Sequence, residues 1–245
     1  MGFLELAKQK MDAAKDNLAK GRYSLAAKEG ADAIELALKH PLRTFGISYE
    51  NKKGRKLHGV DEFYTFENIQ AVSKFLPFSP DHSHLEFSKI LFKHRLWTKA
   101  RNEINYGLER LPQNISTPDV LVEESLSKLI IADAESVLQF IGHFDSYYKS
   151  RLQEAETLLM IHGANIPGYE KVKQYIETLK LASTGAKTMT KTEIDKCLAD
   201  IKEFQKQAEA EAQRQQDAEN AVKGAAAIIG ILLILGIFAA MTSKK

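Results

Sequence analysis

The sequence predicts an all-α protein: an up-and-down helical bundle, an extra helical hairpin and stalk, and a single C-terminal transmembrane helix. Apolar residues recur at steps of three and four through most of the chain, which is the period of an amphipathic helix. Prolines, glycines and capping residues divide that pattern into segments of helical length, and no segment shows the alternation of a β-strand. The stretch Gly224–Met241 contains no charged residue.

The first two helices are predicted to form a hairpin. Apolar residues at helical spacing cover Phe3–Leu18, and Gly21 ends this first helix. The second helix starts at Tyr23, and Pro41 is predicted to stop it, because proline lacks the amide hydrogen that a helix interior needs. Small residues in the range Ala26–Ala31 allow the two helices to approach closely.

The next segments are predicted as a glycine-containing loop and two helices. Residues 44–60 form the loop, a third helix covers Asp61–Leu76, and a fourth runs from His84 to Leu108. Two prolines in residues 77–83 separate these helices.

A long helix is predicted at Asp119–His162. Thr117-Pro118-Asp119 supplies a capping hydroxyl, a proline in the first turn and an acid near the positive end of the helix dipole. Gly163 is the predicted C-terminal stop.

The rest of the chain is predicted as a hairpin, a stalk and an anchor. A helix at Tyr169–Ala182 precedes a capping box formed by Thr190 and Glu193, which opens the last helix. Residues 204–222 continue it as a polar stalk. The predicted organisation is a bundle at 1–155, a hairpin and stalk at 156–222, and an anchor at 223–245.

The C-terminal apolar segment indicates a membrane location. As a helix, Gly224–Met241 would be roughly 27 Å long, which matches the hydrocarbon core of a bilayer. Lysines flank it on both sides. We therefore expect a single-pass, tail-anchored protein with a lipid bilayer as partner and a cytoplasmic N-terminal domain. The alternative is a buried core helix.

Composition excludes several classes of protein. The chain has 245 residues, a formal net charge of +2 and 44% hydrophobic residues, which excludes a disordered chain and a strongly basic packaging protein. Its one cysteine, Cys197, excludes an internal disulfide and is predicted to be a packed thiol rather than a nucleophile. Phosphate loops and zinc motifs are absent, so no cofactor and no metal site is predicted.

Basic side chains are concentrated in the fourth predicted helix and in the loop before the third. Between Leu85 and Arg101 the only acid is Glu86. The bases that we select as candidates to bind the phosphates of RNA or a nucleotide are Lys93, Arg95, Lys99 and Arg101 on the helix and Lys52, Lys53, Arg55 and Lys56 in the loop. The alternative is that these bases only form the solvated faces of a helix and a loop.

The order of the segments in residues 1–155 resembles HEPN domains, which are small all-α bundles. The opening hairpin with its Gly-Arg-Tyr turn at 21–23 resembles the family's first helical pair, and Lys56–Phe63 (KLHGVDEF) resembles its entry to the next helix. Thr98–Gly107 (TKARNEINYG) resembles its most distinctive motif, and Asp133–Tyr148 resembles its closing helix.

This resemblance implies two classes of activity. Some HEPN members are ribonucleases with an arginine followed, after four to six residues, by a histidine; other members carry a tyrosine there and act as binding or partner modules. If the chain were a ribonuclease, Arg101, Asn102 and Tyr106 would be its catalytic residues, but Tyr106 replaces the histidine. A third possibility is structural: a buried network of Arg101 with an acid such as Asp32 or Glu35.

Three functions follow from these patterns. The first, which we favour, is a membrane-anchored and non-catalytic module that forms a homodimer and binds RNA, a nucleotide or a protein. The second is a metal-independent ribonuclease that acts as a membrane-associated stress or defence effector. The third is a tail-anchored structural scaffold.

Overall fold

The residues that the structure describes form seven α-helices and one short 3₁₀ helix, and they contain no β-strand. A computed structural model describes residues 2–47, 59–110 and 122–242, and within them it gives only the backbone for 105–110, 227 and 230–242. The helices are α1 (Phe3–Ala19), α2 (Tyr23–Thr44), α3 (Phe66–Ser73), α4 (Pro80–Arg110), α5 (Glu124–His162), α6 (Tyr169–Thr184) and α7 (Lys191–Thr242), with the 3₁₀ helix at Val60–Phe63. The predicted all-α class is confirmed.

Helices α1, α2 and α5 form the centre of the bundle, and α2 packs against both of the others. Small side chains bring them close together: Ala7, Ala26 and Ala134 are fully buried. At Gly30 of α2 an added Cβ atom would lie 2.9 Å from Cγ2 of Ile130 on α5. The small residues predicted to permit a close approach therefore permit it.

Helix α4 lies on the other side of α2, and α3 packs on α4. The connection before α3 is tied to α2, because the Tyr64 hydroxyl donates a hydrogen bond of 2.6 Å to the carbonyl oxygen of Leu38. The Tyr64 ring also packs against Phe87 of α4, with ring centroids 5.2 Å apart. These contacts fix the position of α4, which carries most of the predicted functional residues.

Helices α6 and α7 cover the C-terminal half of α5. The predicted capping box is confirmed: the Glu193 amide donates to Thr190 Oγ1 at 3.2 Å, and the Thr190 amide donates to Glu193 Oε2 at 2.8 Å. Ile194, Ile201 and Phe204 are buried on this face, and the Cys197 thiol is buried as predicted. Residues 213–226 of α7 are exposed on every side, as a stalk would be.

Several predicted boundaries are wrong. Helix α4 begins at Pro80 instead of His84, because proline fits the first helical turn, where its missing amide hydrogen would have no helical partner in any case. Helix α2 continues past Pro41 to Thr44, because proline in a last turn removes only one helical amide and the Thr44 hydroxyl still donates to the carbonyl oxygen of His40 at 3.0 Å. Helix α3 begins at Phe66 instead of Asp61, because Thr65 caps it by accepting a hydrogen bond from the Asn68 amide. Residues 117–119, the predicted start of the long helix, lie outside the described residues, but that helix was predicted to include Glu123, which is extended, so α5 begins only at Glu124.

The predicted membrane anchor is also wrong. Within the part of the chain that the structure describes, no helix is both long enough and apolar enough to cross a bilayer. Gly224–Met241 is not a separate helix but the end of α7, which begins at Lys191 and carries charged side chains as far as Lys223. The predicted single-pass membrane location is wrong for the same reason.

Gly46 provides a test of how α2 packs against the start of α7. Its φ is +60°, and an added Cβ atom would lie 2.2 Å from the carbonyl oxygen of Met189 and 2.5 Å from the amide nitrogen of Lys191. We expect Gly46→Ala to lower the free energy of unfolding by about 2–5 kcal/mol, because it combines backbone strain with a clash against backbone atoms. Urea denaturation measures the loss.

The matched control is Gly21→Ala. Gly21 has a similar φ of +71°, but an added Cβ atom would meet nothing within 4 Å. Its free energy of unfolding should therefore fall only by the strain that alanine adopts in the left-handed conformation, about 1 kcal/mol. Equal losses in the two variants would contradict the close packing at Gly46.

Candidate functional site

The Arg101 guanidinium faces the inside of the bundle, where α4 crosses α2. Arg101 is only 5% exposed. Its Nη1 atom donates to Asp32 Oδ1 at 2.8 Å and to Glu35 Oε2 at 2.5 Å. Lys39 also binds Glu35 from the next turn of α2. This is the structural alternative considered from the sequence, an arginine held in the core by Asp32 and Glu35.

Glu35 and Arg101 are both held in their charged forms. Burial alone would raise the pKa of the Glu35 carboxyl, but hydrogen bonds and charges from Lys39 and Arg101 outweigh it and lower the pKa. Burial likewise would lower the pKa of Arg101, but Glu35 and Asp32 outweigh it and raise the pKa. The positive charge of Arg101 is thus matched inside the chain and is not directed at a ligand.

Of the three residues proposed for catalysis, Arg101 and Asn102 point to different sides of α4. Asn102 is exposed, whereas the adjacent Arg101 is buried, because consecutive residues on a helix point about 100° apart. The side chain of Tyr106 lies outside the described residues. An attacking group held by Asn102 would not meet the guanidinium of Arg101.

Most of the other bases of α4 are paired with acids of the same chain. Lys89 binds Glu86 at 2.7 Å. Lys93 binds Asp133 of α5 at 2.7 Å, and Arg95 binds Asp61 at 2.6 Å. The bonds of Lys93 and Arg95 depend on tertiary proximity and were not predicted, whereas that of Lys89 joins two residues of α4.

Lys99 is the exception on this helix, since it is exposed and forms no ion pair with a described residue. The second predicted patch, formed by Lys52, Lys53, Arg55 and Lys56, lies outside the described residues. Of the predicted phosphate-binding bases whose side chains the structure describes, only Lys99 is therefore both unpaired and accessible.

His94 is a buried titratable residue that the sequence did not single out. It is 1% exposed, its Nε2 atom lies 3.2 Å from the Thr98 hydroxyl, and its Nδ1 atom lies 3.5 Å from Asp61 Oδ1 without a hydrogen-bond partner among the described residues. It precedes Arg101 by seven residues, which is two helical turns. That spacing was the available signal, because it places both side chains on the buried face of α4.

His94 lies at the base of a shallow cleft of about 440 Å³. Arg95, Lys99, Asn102 and Glu103 form its rim. Burial lowers the pKa of His94, and the charges of Arg101 and Lys39 lower it further, against the opposing effect of Asp61 and Glu35. The neutral imidazole is therefore favoured at pH 7.

The outward face of α4 is apolar at its centre. Phe92 is 68% exposed, and Leu85 and Leu96 are also exposed at helical spacing from it. Helix α5 adds the exposed side chains Leu126 and Leu129. We call Leu85, Phe92, Leu96, Leu126 and Leu129 together the α4–α5 apolar surface.

One residue joins the two halves of this surface. Asp133 follows Leu129 by one turn of α5 and accepts hydrogen bonds from Lys93 and from the indole nitrogen of Trp97, the latter at 2.8 Å. The two exposed rows of apolar side chains therefore lie on helices that are clamped together. Large apolar side chains that are exposed together on one face mark interaction surfaces in soluble proteins.

Comparison with known proteins adds no relative: no family model, no curated protein and no solved structure matches the chain. The likeness of residues 1–155 to HEPN domains therefore stays a prediction.

The Arg101 network leads to a prediction about stability. We expect Arg101→Ala to lower the free energy of unfolding by about 3 kcal/mol, because it leaves Glu35 and Asp32 without their shared cation. The exposed neighbour Lys99→Ala should change it by less than about 0.5 kcal/mol. Urea denaturation of both variants tests this, and losses of similar size would contradict the buried role of Arg101.

The burial of His94 predicts a loss of stability in mild acid. Because its pKa is lower in the folded state, the unfolded chain binds more protons once the pH falls below 6.5, the ordinary value for histidine. Stability is therefore highest above that pH and decreases below it. We expect wild-type protein to lose more stability between about pH 8 and about pH 5.5 than His94→Gln, which keeps a hydrogen-bonding group but does not titrate. Parallel pH profiles for the two proteins would contradict the assignment.

Proposed function

We propose that this protein is a non-catalytic helical interaction module that binds a second copy of itself through the α4–α5 apolar surface. The observation that carries the proposal is the exposure of Phe92, Leu96 and Leu129 on two helices that Asp133 clamps together. Burying one such side chain contributes about 1.5–3 kcal/mol. In a two-fold dimer each of them is buried twice.

The charge of this face favours a copy of the chain over a polyanion. Beside the apolar side chains of α4, the bases Lys89, Lys93, Arg95 and Lys99 are accompanied by the acids Asp61, Glu86, Glu103 and Asp133. A face that carries both signs of charge can pair with a copy of itself. It also offers little attraction to the phosphates of RNA, whose binding depends on unpaired cations.

The arrangement at Arg101 supports a role without catalysis. Its guanidinium is occupied by Asp32 and Glu35, and Asn102 points to a different side of α4. The resemblance of residues 1–155 to HEPN domains also supports this role, because members with a tyrosine in place of the histidine are binding or partner modules. The proposed fold is accordingly a HEPN-like bundle that forms a homodimer.

Self-association is tested on the full chain by sedimentation velocity over a range of concentrations. We expect wild-type protein to form a dimer and the double variant Phe92→Glu/Leu96→Glu to raise its dissociation constant at least about 100-fold, because each interface then buries four unpaired carboxylates. Leu181→Glu is the matched control, since Leu181 is 47% exposed on α6, away from this surface. It should leave the dimer unchanged.

Two results would contradict the proposal. One is a wild-type chain that stays monomeric at every concentration, or a dimer that Phe92→Glu/Leu96→Glu does not weaken. The other is salt-dependent binding of labelled single-stranded RNA by wild-type protein that Lys99→Glu abolishes, which would assign this face to RNA.

A further inference from the structure

A groove separate from the α4–α5 apolar surface opens between α3 and α7. Its volume is about 960 Å³, and its floor is formed by α5 and by Phe45 at the end of α2. Helix α3 packs mainly on α4, whereas α7 packs mainly on α5 and α6. The groove therefore occupies a position in the bundle where a further helix would fit.

The floor of the groove is apolar. Phe45 and Ile201 are buried there, as is Leu152 of α5. Phe75 and Leu198 also line it and are partly buried, so part of each side chain stays open to solvent. An apolar side chain that enters the groove would cover this remaining area.

The rim of the groove is charged, with an excess of bases. Five bases and three acids give it a net charge of +2: Lys74, Arg151, Lys191, Lys202 and Lys206, with Glu67, Asp195 and Glu209. Lys191 binds Asp195. Lys74, Lys202 and Lys206 form no ion pair with a residue that the structure describes.

The dimensions of the groove correspond to a helix. Along α7 it extends from Lys191 to Glu209, which is roughly 27 Å at 1.5 Å per residue. A small metabolite would leave most of that length uncovered.

From these features we propose that the groove binds an acidic amphipathic helix of a partner protein. Apolar side chains on one face of that helix contact Phe75, Leu198 and Ile201, and carboxylates along its edges pair with Lys74 on one rim and with Lys202 and Lys206 on the other. This helix-in-groove mode combines an apolar contact with charge complementarity. It involves none of the residues of the proposed dimer surface and does not depend on self-association.

The test measures binding of a labelled helical peptide of about 14 residues to the full chain by fluorescence anisotropy. The peptide has leucine at helical spacing on one face and glutamate elsewhere, and a matched peptide has lysine in place of glutamate. We expect the acidic peptide to bind wild-type protein and the basic peptide to bind at least about tenfold more weakly. Lys202→Glu/Lys206→Glu should raise the dissociation constant of the acidic peptide about tenfold.

Two further variants separate groove binding from a general charge effect. Lys196→Glu makes the same kind of change on an exposed residue of α7 outside the groove, and it should leave binding unchanged. Ala199→Trp fills the groove from its wall without changing charge, and it should weaken binding about tenfold.

Three outcomes would overturn the proposal. The first is an acidic peptide that does not bind wild-type protein, or that binds the Ala199→Trp and Lys202→Glu/Lys206→Glu variants as tightly as it binds wild-type protein. In the second, wild-type protein binds a fluorescent fatty acid but not the acidic peptide, and Ala199→Trp abolishes the binding of the fatty acid. This would assign the groove to an anionic lipid. The third is a wild-type dimer that Ala199→Trp dissociates, which would assign the groove to a second copy of the chain.

Discussion

The bridge from Arg101 on α4 to Asp32 and Glu35 on α2 sets the rotation of α4 about its axis, and the character of both faces of that helix depends on this rotation. A buried guanidinium must be paired, and the paired acids lie on a helix that is itself buried on most sides. Once Arg101 points at α2, His94 also points inward, since it lies two turns earlier. Phe92 and Leu96 must then point outward, where no described residue covers them.

Electrostatics explains why a helix rich in bases is not a strong site for phosphate. Each base that α4 turns toward another element finds an acid there: Arg101 meets Asp32 and Glu35, Lys93 meets Asp133, and Arg95 meets Asp61. Pairing within the chain cancels the local field that would attract a polyanion. Counting charges along a sequence includes the bases and omits the acids that folding brings to them.

The same distinction separates what the sequence predicted from what it did not. Local signals were sufficient for the helix ends at Gly21 and Gly163 and for the capping box at Thr190, because the interacting atoms lie within a few residues of each other. The start of α3 was misplaced, because Thr65 and Asp61 both offer capping side chains and only the tertiary contact of Tyr64 with α2 decides between them. The sequence predicted Asp32 or Glu35 as a possible partner of Arg101. It could not decide between these acids and a phosphate, because that depends on which way α4 turns Arg101.

The two proposed binding surfaces differ in charge and in position, so they are suited to different occupants at the same time. The α4–α5 apolar surface carries acids and bases together along α4, which suits a copy of the chain, whereas the groove beside α7 has a net positive rim, which suits an acidic helix. Both surfaces use α5, the first near Asp133 and the second from Arg151 onward. Eighteen residues of unbroken helix separate these positions, which is roughly 27 Å. Because that distance is nearly the diameter of a small domain, a dimer centred on Phe92, Leu96 and Leu129 leaves the α5 side of each groove open to a partner.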